Sequence, residues 1–290
     1  MSITGRTTVA GIIGWPVSHS LSPVMHNAAC RALSLDWVYV PFPVPPERLE
    51  EGIAGLRALG VAGFSVTIPH KVAILPLLDR ITPEAELIGA VNTVAVKDGV
   101  AVGYNTDGIG LLAALSSKLG FSPAGSSVLV LGAGGAARSA VASLGLAGAA
   151  RVEVANRSLD TAARLAGLME SRLPQTAFAS RPLERLADPG YLAGFDLVVN
   201  TTSLGMVGDC IPGLDLSALK PGASVYDMVY APAVTPLLAQ AIARGIPCAN
   251  GLPMLVAQGE AAFALWTGVP APEGCMERAL AAHLPTPGNP

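Results

Sequence analysis

The sequence predicts an α/β fold in two domains, and three observations carry that expectation. Short β-like runs alternate with helical ones along 290 residues, a length that suits two domains of roughly 100 to 200 residues each. Hydrophobic residues make up 51% of the chain and charged residues 13%, so it can bury enough apolar surface to offset its ordering entropy, and disorder is excluded. The pattern changes near residue 107, beyond which strand, glycine turn and helix follow one another regularly.

In the first half, the apolar run at 8–13 reads as a strand. Ser22-Pro23 then reads as an N-cap before a proline at the first helical position, opening a helix to about residue 33. Residues 37–42 form the next strand, 47–59 a helix and 63–68 a strand, followed by helical stretches at 72–78 and 83–88. Asp98-Gly99, between β-like runs at 91–96 and 100–102, is a two-residue hairpin signal. In the second half, strand 128–131, helix 134–146, strand 152–155 and helix 160–171 make one βαβ unit. Strands at 197–200, 224–228 and 248–250 and helices at 235–244 and 254–266 complete the pattern, and 284–290, with three prolines, reads as a frayed tail.

Composition narrows the function. Eighteen basic against 21 acidic residues give a net charge of −3, with no run of five like charges, whereas a nucleic-acid or anionic-membrane binder needs a basic surface. The mean hydropathy of +0.51 prompts a search for a membrane span. The longest uncharged stretch, 7–30, is broken by Pro16, Ser18, His19, Ser20, Ser22, Pro23, His26 and Asn27, so no membrane span is expected there. The apolar stretch 9–15 is too short for a secretory signal, so a cytoplasmic protein is expected. Four dispersed cysteines, with no Cys-x-x-Cys pair and no Cys/His cluster, predict buried free thiols and no metal site.

Several motifs carry chemistry. Gly132-Ala133-Gly134-Gly135-Ala136-Ala137 follows a hydrophobic strand and opens a helix, the context of a dinucleotide fingerprint in which glycines let the backbone approach a pyrophosphate at the helix N-terminus. The next strand ends Asn156-Arg157-Ser158, without the carboxylate that would repel a 2′-phosphate, so NADP is favoured over NAD. In the first half, Ser20 and Ser22 lie in a strand-to-helix loop where hydroxyls can hold a carboxylate, unless Ser22 serves only as the cap. Lys71 lies just past a strand C-terminus, where open α/β sheets place ligands, and Asp107 lies at the proposed domain boundary; a lysine and a carboxylate in one cleft can serve as a proton-transfer pair.

Together these segments resemble the shikimate dehydrogenase family over nearly the whole chain. The matching segments are GWPVSHSLSPVMHN at 14–27, SVTIPHK at 65–71, GAVNT at 89–93, GYNTDG at 103–108, GAGGAA at 132–137, NRS at 156–158, NTTSLGM at 200–206, YDMVY at 226–230 and GLPMLVAQG at 251–259. The resemblance implies a substrate domain at 1–106 and 252–290 and a Rossmann-type, doubly wound NADP-binding domain at 107–251, the C-terminal helices returning to the substrate domain. It implies that Ser20 and Ser22 hold the shikimate carboxylate, that Thr67, Asn92 and Gln258 contact ring hydroxyls, that Lys71 and Asp107 sit at the reacting hydroxyl, and that Tyr230 lines the same site. Gly132, Ala133, Gly134, Gly135, Ala136, Asn156, Arg157, Ser158, Met228 and Gly251 fall on the family's NADP positions.

Three departures qualify the likeness. Ser65 stands where the family usually has asparagine, Val72 replaces an acidic residue that often follows the lysine, and Thr161 occupies a place where a second basic residue often completes the 2′-phosphate clamp. Arg157 is then the one cation expected at that phosphate. The implied activity is reversible, NADPH-dependent reduction of 3-dehydroshikimate to shikimate, the ketone-to-alcohol step that serves aromatic amino-acid biosynthesis. The partners expected are a small-molecule substrate and cofactor, with neither nucleic acid nor membrane, in a monomer or a homodimer. Two other readings stand beside it: a dehydrogenase of quinate or an amino analogue, and a non-catalytic NADP-binding regulator, against which the retention of both Lys71 and Asp107 speaks.

Overall fold

The computed structural model describes residues 3–188 and 190–284; the tail expected to fray beyond residue 284 lies outside them. The chain divides into two units, Met1–Thr106 with Val256–Pro290, and Asp107–Leu255.

The first unit is built in the order β1 (Thr8–Gly14), α1 (Ser22–Ala32), β2 (Trp37–Pro43), α2 (Leu49–Ala58), β3 (Gly63–Val66), α3 (His70–Ala73), β4 (Arg80–Ile81), α4 (Pro83–Ile88), β5 (Thr93–Lys97) and β6 (Val100–Tyr104). Its sheet has the order β2-β1-β3-β5-β6-β4. β1 runs parallel to both its neighbours, and β5 and β6 form the expected hairpin, antiparallel to each other, with β5 also antiparallel to β3. Asp98 and Gly99 turn that hairpin at φ +52° and +77°, the pair of left-handed residues that a two-residue turn matched to strand twist requires. Ile13, Ile53, Leu56, Phe64, Val66, Ile74 and Val94 fill one core of this unit.

Two expectations need correcting here. Ser22 is not the N-cap of α1: it is the first helical residue, the cap position is Leu21, and no side chain caps there. The Ser20 hydroxyl accepts from the Ser22 N–H at 3.3 Å instead, a local turn that satisfies one of the free donors at this helix end. The helix expected over 72–78 is a single turn, α3, followed by a 3₁₀ turn at Leu75–Leu77 that places Pro76 in its first turn, because proline cannot continue the hydrogen-bond ladder.

The second unit follows as α5 (Asp107–Leu119), β7 (Ser127–Leu131), α6 (Gly135–Leu146), β8 (Arg151–Asn156), α7 (Leu159–Arg172), β9 (Ala177–Pro182), β10 (Leu197–Asn200), β11 (Ser224–Asp227), α8 (Pro236–Ala243) and β12 (Cys248–Asn250). All pairs are parallel, in the order β12-β11-β10-β7-β8-β9. This is the doubly wound arrangement, with its topological switch between β7 and β10. β7 and β10 are apolar runs buried almost end to end, as a parallel sheet covered on both faces demands. Gly108 lets α5 and α6 cross closely, since a Cβ there would lie 1.9 Å from Ser143 Oγ. The division between units falls inside α9 (Leu252–Thr267), and α10 (Cys275–His283) packs against α1.

Candidate active site

In the first unit the site is formed where β1 and β3 end. The Thr67 N–H donates to the Ile13 carbonyl and the Trp15 N–H to the Ile68 carbonyl, each at 3.0 Å, so the loops carrying Ser20 and Ser22 and carrying Thr67 and Lys71 are laced together. Gly14 has to be glycine in this lacing, because a Cβ would meet Thr67 Cγ2 at 2.4 Å. Lys71 lies half-buried on α3, and its carbonyl accepts from the Val91 N–H at 2.8 Å, which ties α3 to the segment entering Asn92. The neighbouring His70 is buried, with Nε2 2.7 Å from the Val44 carbonyl.

Asn92 is the centre of a buried polar cluster. Its Oδ1 accepts from the Thr106 N–H at 2.7 Å, while its Nδ2 donates to Thr106 Oγ1 at 2.9 Å and lies 3.5 Å from Gln258 Oε1 on α9. Thr93 Oγ1 donates to the same Oδ1 at 3.1 Å. These contacts fix the amide's orientation and use both ends of it, the condition for a buried amide to discriminate among hydroxyls. The C-terminal return of the chain is what brings Gln258 to Asn92, 166 residues apart. Thr106 is not among the expected site residues; its position beside Asp107 is the only clue in the sequence, and a threonine next to an aspartate is too common to act on.

In the second unit Asp107 begins α5, is buried, and accepts from Ser139 Oγ at 3.4 Å. Lys71 and Asp107 thus belong to different units, as do Ser20 and Tyr230. Tyr230 is half-buried beyond β11, and burial pushes its phenol pKa up. Met228 and Gly251 come together: a Cβ on Gly251 would lie 2.0 Å from the Met228 carbonyl oxygen, so only glycine permits the approach. Behind them Asp227 is fully buried and accepts from Thr235 Oγ1 at 2.5 Å, the Val229 N–H at 3.0 Å and Asn200 Nδ2 at 2.9 Å. Its carboxyl pKa is raised, because desolvation outweighs these bonds.

The glycine turn fits a dinucleotide. Gly132 sits at φ +107° at the end of β7, where a side chain would strike Thr201 Oγ1 at 2.6 Å, whereas a Cβ on Gly134, the cap of α6, would meet nothing within 4 Å. The first turn of α6, with Gly135 and Ala136, therefore offers N–H groups and the positive end of its dipole beside open space. The Gly132 N–H donates to the Ala155 carbonyl, which sets Asn156, Arg157 and Ser158 next to the turn. The Asn156 amide donates to the Ser158 carbonyl at 3.0 Å and holds this corner, leaving Arg157 exposed. Arg164 donates to Thr161 Oγ1 at 3.2 Å, and the Thr161 and Ser158 hydroxyls are 3.0 Å apart, so a second guanidinium lies near the corner where Arg157 is the one cation expected. Side chains on a helix lean toward its N-terminus, so the arginine three residues on brings its charge back to the corner that Thr161 leaves uncharged.

An all-parallel sheet of this order, with a glycine turn at its switch point and no acidic residue ending β8, defines a dinucleotide-binding Rossmann protein, here joined to a second α/β unit that carries buried amides and hydroxyls. Residues 12–94 match the family model of the shikimate dehydrogenase substrate binding domain, 114–205 that of shikimate/quinate 5-dehydrogenase, and 251–281 that of the shikimate 5′-dehydrogenase C-terminal domain. The chain is 77% identical to shikimate dehydrogenase (NADP(+)) of Geobacter sp. strain M21 over the full length of both. Among solved structures, a shikimate dehydrogenase in complex with NADP+ superposes with a TM-score of 0.89 at 39% identity, covering 98% of each chain. Shikimate 5-dehydrogenase of Thermus thermophilus, in complex with NADP(H) and shikimate, superposes with a TM-score of 0.84 at 36% identity over 96% of this chain and 100% of that one. The chain belongs to the shikimate dehydrogenase family.

Proposed function

We infer that this chain catalyses the reversible, NADPH-dependent reduction of 3-dehydroshikimate to shikimate, the step that feeds aromatic amino-acid biosynthesis. The observation that carries the reading is that one chain, matching NADP-dependent shikimate dehydrogenases from end to end, holds both a glycine turn at a Rossmann switch point and a buried amide cluster suited to a polyhydroxylated ring. When bound, NADPH supplies the hydride to the substrate ketone.

The remaining work falls to the chain. Ser20 and Ser22 hold the ring carboxylate by donating hydroxyl protons, and Tyr230 is assigned to the substrate site. Thr67, Asn92 and Gln258 hold the ring hydroxyls, the amide of Asn92 being braced by Thr106 and Gln258. In the reducing direction Lys71 gives a proton to the oxygen that becomes the new hydroxyl, and Asp107 orients that oxygen or the lysine. Gly132, Ala133, Gly134, Gly135 and Ala136 accommodate the pyrophosphate, Arg157 with Asn156 and Ser158 meets the 2′-phosphate, and Met228 and Gly251 are further cofactor-binding positions.

Among the described residues no helix is long and apolar enough to cross a membrane, and all four cysteines are free thiols. These features support a cytoplasmic site of action. The reading extends to a monomer or homodimer, decided by light scattering of the purified protein. Steady-state rates with shikimate and with quinate, each with NADP and NAD, test the activity. Turnover of shikimate with NADP should exceed the other three combinations; faster turnover of quinate would reassign the substrate, and no turnover with any pair would leave only a cofactor-binding role.

A further inference from the structure

His26 and Asn27, the last residues of the first motif, and Tyr39 on the edge strand β2 take no part in the reading above. All three converge on one point. Tyr39 pairs with Ala10 of β1, and Ser65 of β3 pairs with Ile12, two positions further along the same strand and so on the same sheet face. The small side chain of Ala10 leaves the phenol room to lie across β1, and its hydroxyl donates to Ser65 Oγ at 2.8 Å, with both groups buried.

Tyr39 is held from both sides. Asn27 spans the free edge of β2: its Nδ2 donates to the Tyr39 carbonyl at 2.8 Å and to the Pro23 carbonyl at 2.8 Å, and its Oδ1 accepts from the Tyr39 N–H at 2.9 Å. The main-chain groups of Tyr39 are thereby pinned to α1, whose first residue is Ser22. The ring is stacked on His26, with centroids 4.4 Å apart and planes 22° apart, and is tilted against Trp266 at 5.6 Å. A phenol fixed in ring and backbone has one proton to give. While it donates to Ser65, the Ser65 proton points elsewhere and is free to be given.

We propose that Tyr39 is a positioning residue for substrate binding: its buried hydroxyl, held by His26 and Asn27, orients the hydroxyl of Ser65 toward the bound ring. The proposal rests on the substrate role inferred for Thr67 and on the placement of Ser65 two residues before it. Tyr39→Phe keeps the ring and its stacking while removing the hydroxyl alone. The KM for shikimate should rise about 3- to 10-fold, as expected for one neutral hydrogen bond, with kcat and the KM for NADP within about twofold of wild type. Ser65→Ala should do the same, and the double variant should lose no more than the larger single loss, because the two hydroxyls act as one chain. A wild-type KM for shikimate in either single variant overturns the proposal, including the case where Tyr39→Phe only lowers the melting temperature, since that is a packing role. Ser22→Ala measured alongside separates the two readings. A raised KM in Ser22→Ala with a wild-type KM in Tyr39→Phe overturns the positioning role and keeps the carboxylate site, whereas wild-type values in both remove the carboxylate site as well.

Discussion

On the proposed roles, Lys71 as proton donor and Arg157 as the 2′-phosphate contact would act at different stages of the reaction, so their loss should be read in different constants. Lys71→Ala should lower kcat by roughly 10²- to 10⁴-fold with little change in KM, because proton transfer belongs to the transition state. Asp107→Asn should show the same pattern, and the double variant should lose less than the product of the two if they act as a unit; steady-state kinetics of the three variants check this. Arg157→Ala should weaken NADP binding by roughly 10- to 150-fold and leave NAD nearly unchanged, as a charge-assisted contact of about 1.5–3 kcal/mol requires. The guanidinium of Arg164 is turned onto Thr161 by the helix geometry, a placement that the sequence does not announce. Arg164→Ala should reduce the preference for NADP further in the Arg157→Ala background, by roughly 2- to 5-fold given its exposed position, measured by calorimetric titration with each dinucleotide. Ser22 illustrates the opposite outcome: its type and the following proline announce a cap, but the helix begins at Ser22 itself and its free N–H is met by Ser20.

Elements are easier to read where one local rule governs them. The hairpin at Asp98-Gly99, the strand, turn and helix around Gly132, and α4 between its Thr82 cap and Gly89 at φ +71° are all written in contiguous residues. β9, α5 and α10 are not legible in this way. β9 ends Arg181-Pro182 at the sheet edge and looks like loop chemistry, while α5 carries Gly108 and Gly110, which lower helix propensity, and Gly108 is needed because α6 passes close by. Thr235 shows two elements depending on one side chain: its hydroxyl accepts from the Leu238 N–H at 3.3 Å to cap α8 and donates to the buried Asp227 at the end of β11. Thr235→Val keeps the shape and removes both bonds, so thermal or urea unfolding should show a loss of about 2–4 kcal/mol, more than a cap alone accounts for.

For the molecule as a whole, His26 gives stability a pH dependence. Burial without any charged partner lowers its pKa from the ordinary 6.5 to about 3. The groups facing it are Tyr39 of β2, Phe263 and Trp266 of α9, and Cys30 of α1, whose thiol burial pushes up to about 11, so none changes charge in acid. Below pH 6.5 the unfolded chain takes up a proton that the folded chain refuses, so stability is full above that pH and falls as pH drops toward 3, by up to about 1.4 kcal/mol per pH unit. Melting curves of wild type and His26→Phe between pH 7 and 4 should therefore diverge, with the wild type falling more steeply; parallel curves would show that His26 keeps a proton in the folded state. By itself the sequence determined the α/β class and the Rossmann glycine turn, because these are set by periodicity and by backbone freedom within a short segment, and its motifs carried the resemblance that implied the family and the candidate site residues. Tertiary structure alone decided that Gln258 braces Asn92, that Arg164 reaches back to Thr161 and that Tyr39 meets Ser65. Such pairings depend on strand order, helix phase and the size of an intervening residue such as Ala10, and no local pattern encodes those.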